Sequence, residues 1–288
     1  YIDWDAGAGW DKTQMNASIW IENLGNWAQY TTPGPGINGG TNIIAPGQGF
    51  FVEVGAFATG TIAMDNGVRT NSSAPFLKSS PTNYIQLAAS GNGKTDETVV
   101  RFDENATILF DGQLDGTKFA AGDDSYPQIY SIADRNLSYN ALPETDMVQL
   151  GFHANYDGVY TIAAVDINEI PSAWLEDTFT GEFTNLTTDS HTFSYATGED
   201  VDRFILHFAP LGIGDKLTDN ISIYSFDQSV YVSVPEFSGG TIFIYNVMGQ
   251  EVSATSIKDV LNKITLKETG YYVVVVTNDD KVVTDKVF

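Results

Sequence analysis

The feature that most constrains this chain is a recurrence of short apolar runs separated by Gly, Pro, Asn and Asp. Segments with the spacing of an amphipathic helix are nearly absent. Runs such as Gly49–Val54 follow turn signals, here Pro46-Gly47, and have the length of a strand. This pattern predicts an all-β fold of sandwiches or barrels built from many short strands.

Segments rich in Gly, Pro and Ser divide the chain into three zones, residues 1–80, 81–210 and 211–288. The first is a β-rich module interrupted by the loop Thr31–Gly40, and Ser72–Pro81 reads as a linker. Pro210–Asp215 is a short Gly-containing break. Most of the excess negative charge lies before residue 211, which also supports a domain boundary there.

The second zone is predicted to be a β-sandwich, with Asn155–Gly158 as a turn. In its last strand, Phe204, Leu206 and Phe208 should share one face and Arg203, Ile205 and His207 the other. The strands predicted for this zone are Asn83–Ala88, Glu97–Phe102, Met147–Phe152, Gly158–Val165, His191–Tyr195 and Arg203–Phe208.

The third zone contains strands of two kinds. Ile221–Phe226 and Val230–Val234 alternate like half-buried strands, whereas Thr241–Val247 and Tyr271–Thr277 are almost continuously apolar. The segment 257–264 has helical spacing for only about two turns, and we predict a loop followed by a strand.

Composition excludes several classes of site and partner. The chain has no cysteine, so disulfides and thiolate chemistry are absent. A net charge of −23 disfavours nucleic acid and anionic lipid as partners. No run of 18 apolar residues occurs, and no signal peptide is visible at Tyr1, so we expect a mature or truncated product.

Two segments of the third zone carry a resemblance. Gly239–Val252 contains Tyr-Asn-Val-Met-Gly-Gln-Glu-Val, and Gly270–Phe288 begins with Gly-Tyr-Tyr-Val-Val and runs to the chain end with lysines in its final strand. In order, spacing and position they resemble the type A C-terminal sorting domain of the type IX secretion system of Bacteroidota. The resemblance covers about 75 residues and implies a terminal immunoglobulin-like β-sandwich.

The resemblance also assigns residues to the sorting signal. Gly249, and Gly270 before its strand, are expected to adopt positive φ in turns. Members often end with adjacent lysines, whereas only Lys286 stands in the closing residues here. The implied signal or partner-binding residues are Tyr245, Asn246, Gly249, Gln250, Val252, Gly270, Tyr271, Tyr272, Val273, Lys281 and Lys286.

Membership would imply export to the cell surface through the periplasm. The implied partners are the type IX translocon, its outer-membrane β-barrel shuttle protein, and a sortase that removes the domain and attaches the cargo to lipopolysaccharide. We expect cleavage in the exposed break between the second and third zones. The residues of that cleavage region are Leu211, Gly212, Gly214 and Asp215.

The upstream zones resemble a module that recurs in large secreted Bacteroidota proteins, adhesins and enzymes alike. Its pieces include Gly9-Trp-Asp-Lys-Thr13, Pro46–Val52 and Arg101–Thr107, and its N-terminal start is expected to be missing here. Because such modules precede sorting domains in proteins of different function, this likeness names no activity.

Catalysis within the chain is not expected, and no cofactor is predicted. His153, His191 and His207 are far apart, and Glu176 and Asp177, as neighbours on a strand, should point to opposite faces. Calcium is a weaker hypothesis, because loop carboxylates suit that ion but the spacing matches no EF-hand. Its candidate ligands are Asp111, Asp115, Asp123 and Asp124.

Two functions remain open. The first is the non-catalytic, adhesin-like C-terminal part of a surface protein, serving attachment or gliding. The alternative is a carbohydrate-binding or accessory region of a secreted enzyme whose catalytic domain lies upstream. Aromatic rings can stack on surface glycans, although core packing is the favoured explanation for them. The candidate rings are Trp10, Trp20, Trp27, Tyr30 and Trp174.

Overall fold

A computed structural model describes residues 1–55, 59–71, 81–208, 221–226, 228–234, 239–259, 261–278 and 281–288. The chain divides into two compact units, Tyr1–Phe208 and Ala209–Phe288. The described residues form strands, one short 3-10 helix at Asn66–Val68, and no α-helix. The prediction of an all-β fold is confirmed.

The first unit is built from short strands, as the frequent turn residues require. Eighteen are described: β1 (Ile2–Asp3), β2 (Trp10–Thr13), β3 (Met15–Asn23), β4 (Asn26–Thr31), β5 (Ile43–Ile44), β6 (Phe51–Val54), β7 (Thr61–Met64), β8 (Tyr84–Gly91), β9 (Lys94–Phe102), β10 (Gly116–Thr117), β11 (Gln128–Ile132), β12 (Asn136–Leu142), β13 (Met147–His153), β14 (Gly158–Asn168), β15 (Ala173–Asp177), β16 (Glu182–Asn185), β17 (His191–Tyr195) and β18 (Phe204–Phe208).

Eleven of these strands form one large sheet in the order β16-β15-β18-β13-β11-β12-β9-β8-β14-β17, with β10 added beside β12. All pairs are antiparallel except β9 with β12. The sheet curls around an apolar core that includes Leu87, Phe152, Ile162 and Phe204. Burial of such side chains is the main stabilising contribution to this unit.

The two ends of the large sheet approach one another. No ladder joins β16 to β17, but Thr184 and His191 are joined by a 2.9 Å hydrogen bond between Oγ1 and Nδ1. The sheet is therefore a nearly closed barrel whose last gap is bridged by side chains in the part of the chain described here.

A three-stranded sheet, β4-β3-β6, packs against the segment that follows β9. The Trp20 ring stacks on Phe119 with centroids 4.5 Å apart. Trp20 Nε1–H donates to Gln29 Oε1 and to the Thr117 carbonyl, and Ser138 donates to the same Gln29 oxygen. The predicted boundary at residue 80 thus lies inside the first unit.

The second unit is a two-sheet sandwich. Its strands are β19 (Ser222–Phe226), β20 (Ser229–Ser233), β21 (Thr241–Asn246), β22 (Glu251–Ser256), β23 (Leu261–Thr265), β24 (Tyr272–Asn278) and β25 (Lys281–Val287). They pair as β19-β20-β23 and β22-β21-β24-β25. Val230 and Val232 from one sheet share a core with Ile242, Val274 and Val276 from the other. Seven strands in two sheets around one core form an immunoglobulin-like architecture.

Two local predictions have opposite outcomes. The segment with ambiguous spacing does end in a strand, β23. The predicted placement of Arg203 with Ile205 and His207 is wrong, because β18 begins only at Phe204 and the Arg203 side chain turns towards the core-facing Asp177. Alternation applies only within the strand, so it could not place a residue before the first ladder position.

Candidate functional site

The motif Tyr-Asn-Val-Met-Gly-Gln connects β21 to β22, and we call residues 246–250 the Asn246 turn. The Asn246 side-chain oxygen accepts the backbone N–H groups of Met248 and Gln250, both at 3.0 Å. Its amide nitrogen donates to Gln250 Oε1, also at 3.0 Å. Asparagine often closes a turn in this way, and here the glutamine side chain holds the asparagine in place.

Glycine is needed at one of the two predicted positions. Gly249 has φ +76°, and its N–H donates to the Asn246 carbonyl at 2.9 Å, so the prediction for this residue is confirmed. The prediction of positive φ at Gly270 is wrong. β23 and β24 belong to different sheets, so their connection is not a tight hairpin; it is held by the Tyr272 hydroxyl, which donates to the Glu268 carbonyl.

The tip of the Asn246 turn is apolar and open. The side chains of Val247 and Met248 are 78% and 76% exposed. The hydrogen bonds of the turn hold these apolar side chains in water, which is unfavourable. A partner that buried them would gain free energy. This pair is the most exposed apolar feature formed by the motif residues.

The remaining motif residues occupy the sheet beside that turn. Tyr245 lies opposite Val273 on β24, and both are half-buried. Val252 on β22 is 48% exposed. Tyr271, before β24, is exposed and packs its ring on Phe288 with centroids 4.8 Å apart. The structure therefore brings the two motif segments together in one sheet.

The structure describes only part of the lysine pair and none of the predicted cleavage region. Lys286 lies opposite Val273 on β25 and is exposed. Lys281 opens the same strand, and its side chain lies outside the described residues. The same is true of the whole predicted cleavage region, Leu211, Gly212, Gly214 and Asp215.

The four calcium candidates accept hydrogen bonds from groups of the chain itself; Asp111, for example, accepts the Gln113 N–H at 2.9 Å. Asp115 is buried and accepts the N–H groups of Asp111 and Ala141, both at 2.7 Å. Burial raises the pKa of Asp115 to about 7. Asp123 accepts the Ser125 N–H at 2.9 Å, and Asp124 accepts from the Asn155 amide. Within the described ranges, no three acidic or histidine side chains converge on a point where a metal ion could bind.

The five candidate sugar-stacking rings are all at least half-buried. Trp20 is fully buried, and the Tyr30 hydroxyl donates to Asp5 at 2.5 Å. Trp10, Trp27 and Trp174 are half-buried. Trp27 packs edge-on against Phe51, which is 56% exposed and which sequence reasoning did not select. That pair is the most open aromatic surface near the predicted rings.

A buried charged group that the sequence did not predict lies where the barrel closes. Arg203 Nε and Nη2 donate to the two oxygens of Asp177 at 2.7 and 2.6 Å, while Nη1 donates to Glu199 and to the Ser194 carbonyl. His191 approaches the same carboxylate at 3.4 Å. Burial opposes ionisation of Asp177, but the Arg203 bonds and charge prevail and hold its pKa below the ordinary value.

The adjacent Glu176 points away from this group, as predicted, and is paired with His207 at 2.9 Å. Glu176 and Asp177 therefore face opposite sides of β15. Two buried histidine–carboxylate contacts on opposite faces connect β15 to β17 and to β18. Strand alternation predicted the opposite faces, but the partners come from residues too distant in sequence to infer.

A second unpredicted group centres on Asp96, which is fully buried. One carboxylate oxygen accepts the side-chain amides of Asn26 and Asn38, at 3.2 and 2.9 Å. The other accepts the Ile129 N–H at 2.8 Å and pairs with the Lys118 ammonium. Four donors thus saturate one carboxylate at the junction of β4, β9 and the segment after β10.

The comparisons with known proteins place the chain in a family without assigning an activity. No curated protein and no solved structure shows significant similarity to it. In the described parts of the chain, no helix is long and apolar enough to cross a membrane. The family of the domain of unknown function DUF8693 matches residues 11–208, which is most of the chain and nearly all of the first unit. The chain belongs to the DUF8693 family.

Proposed function

We propose that residues 211–288 are a type A sorting domain that directs a surface protein through the type IX secretion system. The observation that carries this proposal is that the two resembling segments form one built element, the Asn246 turn and its β21–β24 sheet. The unit also has its own core, as a detachable address domain requires.

Recognition by shape fits this arrangement better than recognition of a linear peptide. The motif residues come from β21, β22 and β24, so they are neighbours only when the sandwich is folded. The exposed Val247 and Met248 offer apolar area, and the outer strands β22 and β25 offer free backbone groups to a partner strand. The partner in this proposal is the outer-membrane shuttle protein, followed by a sortase that cleaves near Leu211–Asp215.

The first unit is then the exported cargo, with a structural or adhesive role. Its charge suits a protein that stays soluble outside the cell. The second candidate, a glycan-binding or accessory region, is favoured by the Trp27–Phe51 pair, whose centroids lie 5.3 Å apart. Glycan-array binding that falls on Phe51→Ala change would support it, and an array without binding would remove it.

Export of a fusion tests the sorting function. A neutral passenger with a periplasmic leader is joined to residues 209–288 and expressed in a type IX-competent host, and passenger outside the cells is measured. We expect export, and we expect it to fail when Lys281–Phe288 is deleted or when Gly249→Val disrupts the turn. A passenger that stays in the periplasm with the intact unit would refute the proposal.

Matched surface variants separate recognition from folding. The double change Val247→Ser with Met248→Ser removes the apolar tip, whereas Val282→Ser removes one apolar side chain, 66% exposed, from β25. We expect the first to reduce export and the second to leave it unchanged. Equal export of both would show that the tip is not the recognised surface.

A further inference from the structure

The buried group around Asp96 combines an ion pair with a primary carboxamide. Asp96 bridges an amine, on Lys118, and a primary carboxamide, on Asn26, through the two oxygens of one carboxylate. All three side chains are withdrawn from water: Asp96 is 0% exposed, Asn26 4% and the Lys118 side chain 6%. An amine and a primary carboxamide that both hydrogen-bond to one carboxylate are the reactants and the acid–base catalyst of an amide exchange.

The Asn26 carbonyl is also prepared for attack. Its Oδ1 accepts the Trp27 backbone N–H at 2.8 Å, so negative charge that develops on this oxygen has a fixed donor. The Asn38 amide nitrogen donates to the same carboxylate, but it also donates to the Trp27 carbonyl at 3.0 Å. Asn38 is half-buried, and among the described residues its side-chain carbonyl oxygen has no such donor.

We propose that Lys118 and Asn26 form an intramolecular isopeptide bond, with Asp96 carrying the proton. Within the Lys118–Asp96 pair, the ammonium passes a proton to the carboxylate, which leaves a neutral amine and a carboxylic acid. Lys118 Nζ attacks Asn26 Cγ, and the oxyanion is stabilised by the Trp27 N–H. Asp96 protonates the leaving nitrogen, the Cγ–Nδ2 bond breaks, and ammonia departs. The attacking nitrogen then loses its second proton to the carboxylate, so charge and atoms balance.

Burial favours this reaction because the reacting groups are shielded from solvent. Excluded water cannot compete with the amine for the carbonyl carbon. The product is a covalent tie between β4 and the segment after β10, in a chain that has no cysteine and so cannot form a disulfide.

The tie would have a mechanical use. The three-stranded sheet β4-β3-β6 meets the rest of the first unit through side-chain contacts and a few backbone hydrogen bonds, and the covalent bond would fix that junction. A covalent link across a long loop also restricts the unfolded chain. This inference concerns the first unit and does not depend on the sorting function proposed for the second.

Mass spectrometry of the purified full chain tests the proposal. We expect an intact mass lower than the sequence mass by one ammonia, and a tryptic product in which residues 13–69 are joined to 102–135. Ring closure at Asn38-Gly39 also releases ammonia, but it joins no two peptides, so the joined product is the deciding observation. An intact mass equal to the sequence mass, with the two peptides separate, would overturn the proposal.

Variants assign the reacting groups. Lys118→Arg and Asn26→Ala should abolish the joined peptide, and Lys94→Arg, which alters a neighbouring exposed pair with Asp123, should retain it. Asn38→Ala should also retain it. Loss of the link with Asn38→Ala in a protein that keeps its native tryptophan emission, or fragment ions that place the link on Asp96, would refute Asn26 as the acceptor.

Discussion

Replacing Arg203 should reveal how much the closure of the barrel depends on one ion pair. Arg203→Leu removes both donors to Asp177, and the carboxylate is left buried with 0% exposure. Removing one partner of a buried pair costs about 3–5 kcal/mol of unfolding free energy. Asp177 keeps the Phe179 N–H at 3.1 Å and the nearby His191, so we expect about 3 kcal/mol.

The chain offers a clean reporter for this measurement. All five tryptophans lie in the first unit, so their emission during urea unfolding follows that unit in the intact chain. With an m-value of about 2 kcal/mol/M, the expected loss lowers the urea midpoint by about 1.5 M.

A matched change sets the scale. Arg135 pairs with Glu53 at 3.3 Å, and its side chain is 36% exposed. Arg135→Leu should therefore cost only about 1 kcal/mol. If the midpoint of Arg203→Leu is no lower than that of Arg135→Leu, the reasoning about the buried pair is wrong. Adding Asp177→Leu to Arg203→Leu should restore part of the loss, because no unpaired charge is then left inside.

Three further predictions concern single positions. The folded pKa of Asp115 lies above its unfolded value of 3.8, so the unfolding free energy of the first unit should fall by about 2–3 kcal/mol from pH 5 to 7. Urea midpoints at each pH would measure this fall, and Asp115→Asn should abolish it. Gly249→Val should cost about 1–2 kcal/mol through its positive φ, raising amide hydrogen exchange in β24, and Gly249→Asn should cost less. Gly91→Ala would place a methyl group 2.1 Å from the Tyr160 ring and should lower the unfolding free energy by about 1–3 kcal/mol, measured by tryptophan-monitored unfolding. Gly122→Ala is the control: the nearest atom to its new methyl group lies at 3.9 Å, so its stability should not change. Equal midpoints for the last two variants would contradict the packing argument.

Sequence reasoning predicted the elements well and their long-range partners poorly. Strands such as β13, β17 and β24 follow from short apolar or alternating runs bounded by turn residues, and Gly249 follows from the chemistry of a tight turn. Both are local properties. The parallel pairing of β9 with β12 depends on contacts across about 40 residues, for which a single sequence has no local signal.

The same limit applies to the candidate sites. The Asn246 turn was predictable because its hydrogen bonds join residues at most four apart. Asp96 and Lys118 are 22 residues apart, and Asn26 is 70 residues from Asp96, so their meeting depends on the packing of two sheets. Residue types alone directed attention to the four aspartates and the tryptophans. The buried groups around Asp96 and Asp177 consist of common residue types in ordinary strands and turns, so the sequence did not single them out.

The junction between the three-stranded sheet and the barrel has a consequence for biosynthesis. Trp20 donates to the Thr117 carbonyl and Gln29 accepts from Ser138, so each has a partner about a hundred residues further along the chain. During synthesis from the N-terminus, about a hundred residues must therefore emerge before the first strands can complete their packing, and until then their apolar faces stay accessible to chaperones or to aggregation.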